Sequence, residues 1–196
     1  MKGLFVKDFR VLMKAMKFAL VAILLFSFMD NMRTFVIFYG SLLAVSSFAY
    51  DEKNKWNEMA AMLPYSDREM VLEKYIFGYV GTLIGFAVSC GAGFITGMDG
   101  DEFLFCLTGF LAVLIMLPIN LTLIYKFGVE KTRIVYLIFI GATTALIVLL
   151  SDLFLKTGAN FFGTFDFALP ALALVAILFN IAGIFLSVKF YRKKKF

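Results

Sequence analysis

Nucleophile-bearing side chains sit inside the apolar stretches of this chain, among them Ser46, Ser47, Ser89, Ser187, Cys90 and Cys106. Hydrolytic or acyl-transfer chemistry needs a base next to the nucleophile. The chain has no histidine, and no lysine lies at comparable depth. A zinc site lacks ligands for the same reason, and two cysteines buried in apolar runs give no disulfide framework. Gly158-Ala159-Asn160-Phe161-Phe162-Gly163-Thr164 has the glycine spacing of a phosphate loop but not its lysine, so it offers no nucleotide chemistry. No Asp, Glu, His or Arg falls in the middle of an apolar stretch. A charge there costs about 2.5–3.5 kcal/mol and is kept mainly for proton or ion coupling. Catalysis, a metal, a cofactor bound in this chain and ion-coupled transport are all disfavoured.

The charged groups gather instead in one segment. Asp51 to Lys74 carries ten of the 33 formal charges, the only tryptophan (Trp56) and a Leu63-Pro64 break. Trp56, Met59 or Ala60, and Leu63 fall at i, i+3/i+4 and i+7, which predicts a short amphipathic helix over 51–62. Lys53, Asn54, Asn57 and Glu58 are left for water or a partner. Pro64 ends that helix, because the residue before a proline is pushed out of helical geometry. Ser66-Asp67-Arg68-Glu69 then reads as a capping box that starts a new helix running into Tyr75. Connections in helical bundles usually take about 2–8 residues, and this one has 24. A small helix joined rigidly to one apolar stretch, and through a corner to another, acts as a lever on both. A plain solvated connection would need neither the tryptophan nor the amphipathic pattern.

The elements that hold this segment are apolar rods. The chain has 196 residues, of which 62% are hydrophobic and 25 are Phe, and its mean hydropathy is +0.90. A bilayer core takes about 20 apolar residues per helix, and a soluble core would need charged outer faces that are missing here. The reading is an all-α membrane protein forming a single transmembrane domain over 1–196, with six spans. These are 15–29, 34–50, 75–98, 103–125, 134–150 and 168–188. Residues 1–14 form an interfacial helix, with Leu4, Phe5, Phe9, Leu12, Met13 and Met16 opposite Lys2, Lys7, Arg10 and Lys14. Residues 51–74 form the polar connection and 151–167 an extracellular loop. Seventeen of the 19 basic residues fall on the side of the termini and the 51–74 segment, leaving only Arg33 and Lys156 opposite. The positive-inside rule therefore puts both termini in the cytoplasm. The net charge of +5 reflects membrane flanks, not nucleic-acid binding.

Within the spans, Gly81, Gly85, Ser89, Gly93 and Gly97 recur every four residues and predict a close helix–helix seam. Packing within the chain is favoured over a dimer contact. Pro118 removes the bond to the Leu114 carbonyl and predicts a kink. Asn120, Thr122, Asn180 and Ser187 bond between helices or line a pathway.

Tyr50-Asp51-Glu52-Lys53, Trp56, Leu63-Pro64-Tyr65-Ser66, Val71 and Lys74-Tyr75, together with Lys2-Gly3-Leu4 and Lys7-Asp8, carry a family likeness. The chain resembles the small six-span permease subunits of bacterial type-2 ABC exporters, including those related to phenol-soluble-modulin exporters. The resemblance implies that the 51–62 helix is a coupling helix seated in a groove of a separate cytoplasmic ATP-binding subunit. ATP and Mg would bind in that partner. Two permease subunits, identical or different, would form the path in the bacterial cell membrane. Asp51, Glu52, Lys53, Trp56, Leu63 and Pro64 would transmit force and catalyse nothing. The cargo would be a hydrophobic or amphipathic peptide, lipid or drug. A non-transporting immunity or scaffold protein that binds peptides or lipids is the alternative, and an ion-coupled carrier ranks third.

Overall fold

The computed structural model describes residues 2–15, 17–29, 32–54, 56–60, 62, 66–135, 138 and 165–193. All regular structure among them is helical: α1 (Lys2–Ala15), α2 (Lys17–Ser27), α3 (Arg33–Lys53), α4 (Trp56–Ala60), α5 (Asp67–Thr96), α6 (Gly100–Phe127) and α7 (Phe165–Lys193). A further helical stretch covers 129–135. Four helices are long and apolar enough to cross a membrane: α3, α5, α6 and Leu172–Lys193 of α7. The first expected span, 15–29, coincides with α2, whose 11 residues extend only about 17 Å at 1.5 Å per residue. Most of the expected fifth span, the 151–167 loop apart from its last three residues, Leu63 and Pro64 lie outside the described residues.

α3 packs mainly on α5, and α6 on α7, while α3–α6, α5–α6 and α5–α7 contacts close the bundle. The small-residue stripe explains the first pairing. Gly40 and Gly81 meet backbone to backbone, and a methyl group on either would overlap the other's carbonyl. A Cβ on Gly85 would lie 2.9 Å from the Val36 carbonyl oxygen. One turn on, Ser89 Oγ donates to the Arg33 carbonyl at 3.0 Å. Gly93 and Gly97 serve other ends: Met98 folds back over Gly93, and Gly97 (φ +84°) closes α5 in the left-handed region that suits glycine.

α6 continues through Pro118 as one helix. The Leu114 carbonyl, which loses its helical N–H to the proline, accepts instead from Asn180 Nδ2 of α7 at 3.0 Å. Asn180 also receives the Tyr79 hydroxyl of α5. One amide thus ties three helices and repairs the α6 ladder. Asn180→Leu is expected to lower stability by about 1–2 kcal/mol, the cost of an unsatisfied buried acceptor. Thermal unfolding of the solubilised protein measures this. The loss should shrink in a Pro118→Ala background, where the helix supplies its own N–H; an equal loss in both backgrounds would contradict the assignment.

At the end of the bundle carrying α4, the core includes Ala44, Val71, Tyr75, Leu121 and Tyr125, with Phe48 edge-on to Tyr125 at 4.9 Å. Tyr75 reaches across to Ser187 Oγ at 2.9 Å. At the opposite end, buried Arg33 bonds Glu102 at 2.7 Å and Thr96 at 2.5 Å, pinning the start of α3 to α5 and α6.

Candidate functional site

The corner between α3 and α5 departs from the expected single helix over 51–62. Helical bonding in α3 persists until the Asn54 N–H meets the Tyr50 carbonyl at 3.0 Å. Asp51, Glu52 and Lys53 are therefore the last turn of α3, and α4 is the separate five-residue helix Trp56–Ala60. Asp51 in this final turn is anchored by ions, whereas Lys53 and Asn54 are exposed.

Asp51 Oδ1 lies 2.6 Å from Lys7 Nζ, and Oδ2 lies 2.6 Å from Lys74 Nζ. Asp8 is 1% exposed. It pairs with Lys74, takes the Ser47 hydroxyl at 2.7 Å and sits 2.8 Å from Lys7 Nζ. Lys74 also donates to Ser47 Oγ at 2.5 Å. Three helices, α1, α3 and α5, thus meet on one buried ion cluster. Burial works to raise the Asp8 carboxyl, but the Lys74 charge and hydrogen bonding, with Lys7 and Lys74 among the donors, outweigh it and hold it well below its usual range. Asp8 therefore contributes stability that is present above the ordinary value of 3.8 and is lost as pH falls toward the depressed one.

α4 is drawn into the same assembly. Lys7 Nζ stands 4.3 Å from the centroid of the Trp56 ring, a cation–π arrangement. Ala60 is buried with Leu4 of α1 and Met70 of α5, and half-buried Trp56 and Tyr191 cover them. Met59 (52% exposed) and Met62 (87% exposed) point outward, and Lys53 and Asn54 are exposed beside them. The inward face therefore runs through Trp56 and Ala60, with Met59 on the other side.

α1 also divides differently from the expected pattern. Leu4 and Asp8 are buried, whereas Val6, Phe9 and Met13 are 45–60% exposed. Lys7, expected on the polar outer face, turns inward because two carboxylates and an aromatic ring await it there.

Glu52 acts away from the cluster. Its Oε2 accepts the Val129 N–H at 2.9 Å and so caps the helical stretch at 129–135, where a free N–H and the helix dipole both favour a carboxylate. Gly128 (φ +84°) gives the turn its shape, and a Cβ there would lie 2.9 Å from Glu52 Oε1. The start of α5 matches the sequence pattern: Ser66 accepts from the Glu69 N–H at 3.2 Å, and Glu69 receives the Ser66 N–H at 2.9 Å.

A cavity of about 230 Å³ opens between α3, α6 and 129–133, lined by Leu42, Val45, Ser46, Asn120, Ile124 and Arg133 among others. Its wall is mainly apolar, with a guanidinium at one edge. No cluster of metal-ligating side chains occurs among the described residues.

Of the six corner residues singled out from sequence, Asp51 and Trp56 face inward, Glu52 reaches the next loop, Lys53 is exposed, and Leu63 and Pro64 lie outside the described residues. Sequence reading missed Lys7, Asp8, Ser47, Glu73 and Lys74 as a unit. One signal was available: Asp8 is the sole acid in the first 29 residues, set in an otherwise basic helix.

Membrane-length helices with a polar, ion-locked corner at one end define a multi-pass membrane protein. The family model described as "ABC-2 family transporter protein" matches residues 3–192, and the chain belongs to that family of transport permeases. Permeases of this kind generally work with a separate ATP-binding subunit. No curated protein and no solved structure matches the chain.

Proposed function

We propose that the chain is the permease subunit of an ATP-driven exporter that moves hydrophobic or amphipathic cargo outward, powered by a separate ATPase subunit. The observation that carries this reading is the corner itself. A short helix is held by a cation–π contact to α1 and by packing on α1 and α5, beside an ion cluster that joins α1, α3 and α5, while two methionines and Lys53 are left outward. Methionine-rich surfaces suit adaptable protein contacts. A push on α4 is passed through Trp56 and Asp51 to both membrane-length helices it separates, so these residues transmit force and Met59, Met62 and Lys53 meet the partner. On this reading six spans cross a bacterial cell membrane, with the corner and both termini in the cytoplasm. Two permease subunits line the path. ATP and Mg bind in the partner, and this chain hydrolyses nothing. The mainly apolar cavity fits an amphipathic cargo better than a small polar ion.

Co-purification with the ATPase tests this. Met59→Asp with Met62→Asp is expected to reduce ATPase capture at least tenfold while the spans stay folded. Capture that is unchanged in this variant, or ATP turnover by the isolated chain, would overturn the proposal. A stable chain that binds peptide or lipid without any ATPase would instead support a non-transporting scaffold.

A further inference from the structure

The ion cluster contains a carboxylate that its geometry leaves unexplained. α5 has 30 residues, about 45 Å at 1.5 Å per residue, against a bilayer core of about 30 Å. The span expected from sequence begins at Tyr75, which leaves Glu73 and Lys74 just outside it. Glu73 is 2% exposed, and its nearest ion-pair contact, Lys74 Nζ, is 3.9 Å from Oε2, beyond hydrogen-bonding reach. Glu73 Oε1 is buried and lacks a hydrogen-bond donor. Asp8 Oδ1 has the Lys7 ammonium at 2.8 Å as its partner. Three carboxylates (Asp8, Asp51, Glu73) face two ammonium groups (Lys7, Lys74), so the fully ionised cluster would carry one uncompensated negative charge away from water. Burying such a charge is far costlier than neutralising it.

We propose that Glu73 is a proton-binding residue that shares its proton with Asp8, and that loss of this proton to water loosens α1 from the α4 corner. The Glu73 O–H donates to the Asp8 carboxylate, the orphaned Glu73 oxygen gains a partner, and the cluster becomes neutral. Without the proton, two carboxylates repel each other across the α1–α5 contact. The elements packed at this end of α5 bring the following further groups. α3 brings Asp51, which its two lysines hold, and α4 brings Trp56. α6 brings the Tyr125 hydroxyl, which donates to the Met70 carbonyl at 3.5 Å. α7 brings Tyr191, and Arg192 lies 3.7 Å from Asp67.

Burial pushes the Glu73 carboxyl up; Lys74 opposes this, and the hydrogen bond and charge of Asp8 add to it, giving a value of about 8. The sign follows from linkage. Docked α1 holds a proton that a released, hydrated Glu73 would give up above its ordinary value of 4.5. Docking therefore weakens as pH rises from there to about 8, by up to roughly tenfold per pH unit, and levels off above.

The test uses the full chain in lipid nanodiscs and needs no ATPase. An infrared titration of the unaltered protein is expected to show a carboxylic-acid carbonyl band that disappears near pH 8 and is absent from Glu73→Gln. Spin labels at Phe9→Cys and Arg68→Cys, with Cys90 and Cys106 replaced by alanine, report docking. The docked-to-released ratio should fall about tenfold per pH unit up to 8, whereas adding Glu73→Gln should flatten the profile. Absence of the band, or identical docking profiles with and without Glu73→Gln, overturns the proposal. Asp8→Asn should move the titration to lower pH, and an unmoved midpoint would remove Asp8 as the partner.

Discussion

Lys74→Met is expected to destabilise the protein by about 3–5 kcal/mol, the usual cost of breaking a buried ion pair from one side. Lys74 is 5% exposed and serves Asp8, Asp51 and Ser47 at once. Burial works against its ammonium, but Asp51, Glu73 and Asp8 more than compensate and raise its pKa. Methionine keeps the volume of the side chain and removes only the charge, so the loss reads the electrostatics and not a cavity. Denaturant unfolding in mixed micelles measures it. Adding Asp8→Asn should recover most of the loss, because Asp51 then retains Lys7 and the stranded anion is gone. A single-variant cost below about 1 kcal/mol, the range of solvent-exposed pairs, would show that the cluster is hydrated.

Gly81→Leu is expected to cost about 3 kcal/mol or more, the upper range for overpacking, and to prevent α3 and α5 from closing. The obstacle is backbone, not a side chain that can swing away: the first added carbon already meets the Gly40 carbonyl. Gly91, ten residues along the same helix, has nothing within 4 Å of its Cβ position. Gly91→Leu should therefore be neutral or gain up to about 1 kcal/mol from helix propensity. Similar unfolding midpoints for the two variants would mean that the seam does not hold the pair together.

Short-range signals in the sequence were the easiest to read. The Ser66–Glu69 box depends on a three-residue spacing, and the glycine stripe on a four-residue one, so each is visible along a single helix. Pro118 announced a lost hydrogen bond, but its remedy, Asn180, comes 62 positions later and only the packed bundle joins them. The ion cluster was hidden for the same reason: Asp8 and Lys74 are 66 residues apart, and each alone resembles a charge at a helix end. The division of α1 was misread because apolar periodicity assumes water on the polar side. Here protein carboxylates occupy that side, and Lys7 follows them. The family likeness rested on the corner residues themselves, so it located the corner without revealing that Asp51 and Trp56 turn inward.

The carboxylate that Glu52 extends to Val129 makes neighbours of segments 77 positions apart. Through it, the tail of one rod is bolted to the doorway of a later stretch without passing through the corner helix. If the first rod tilts as the proposed function requires, that doorway would be drawn along with it, and a nudge at one point would spread sideways as the swing of a plate, not as the slide of a single piston.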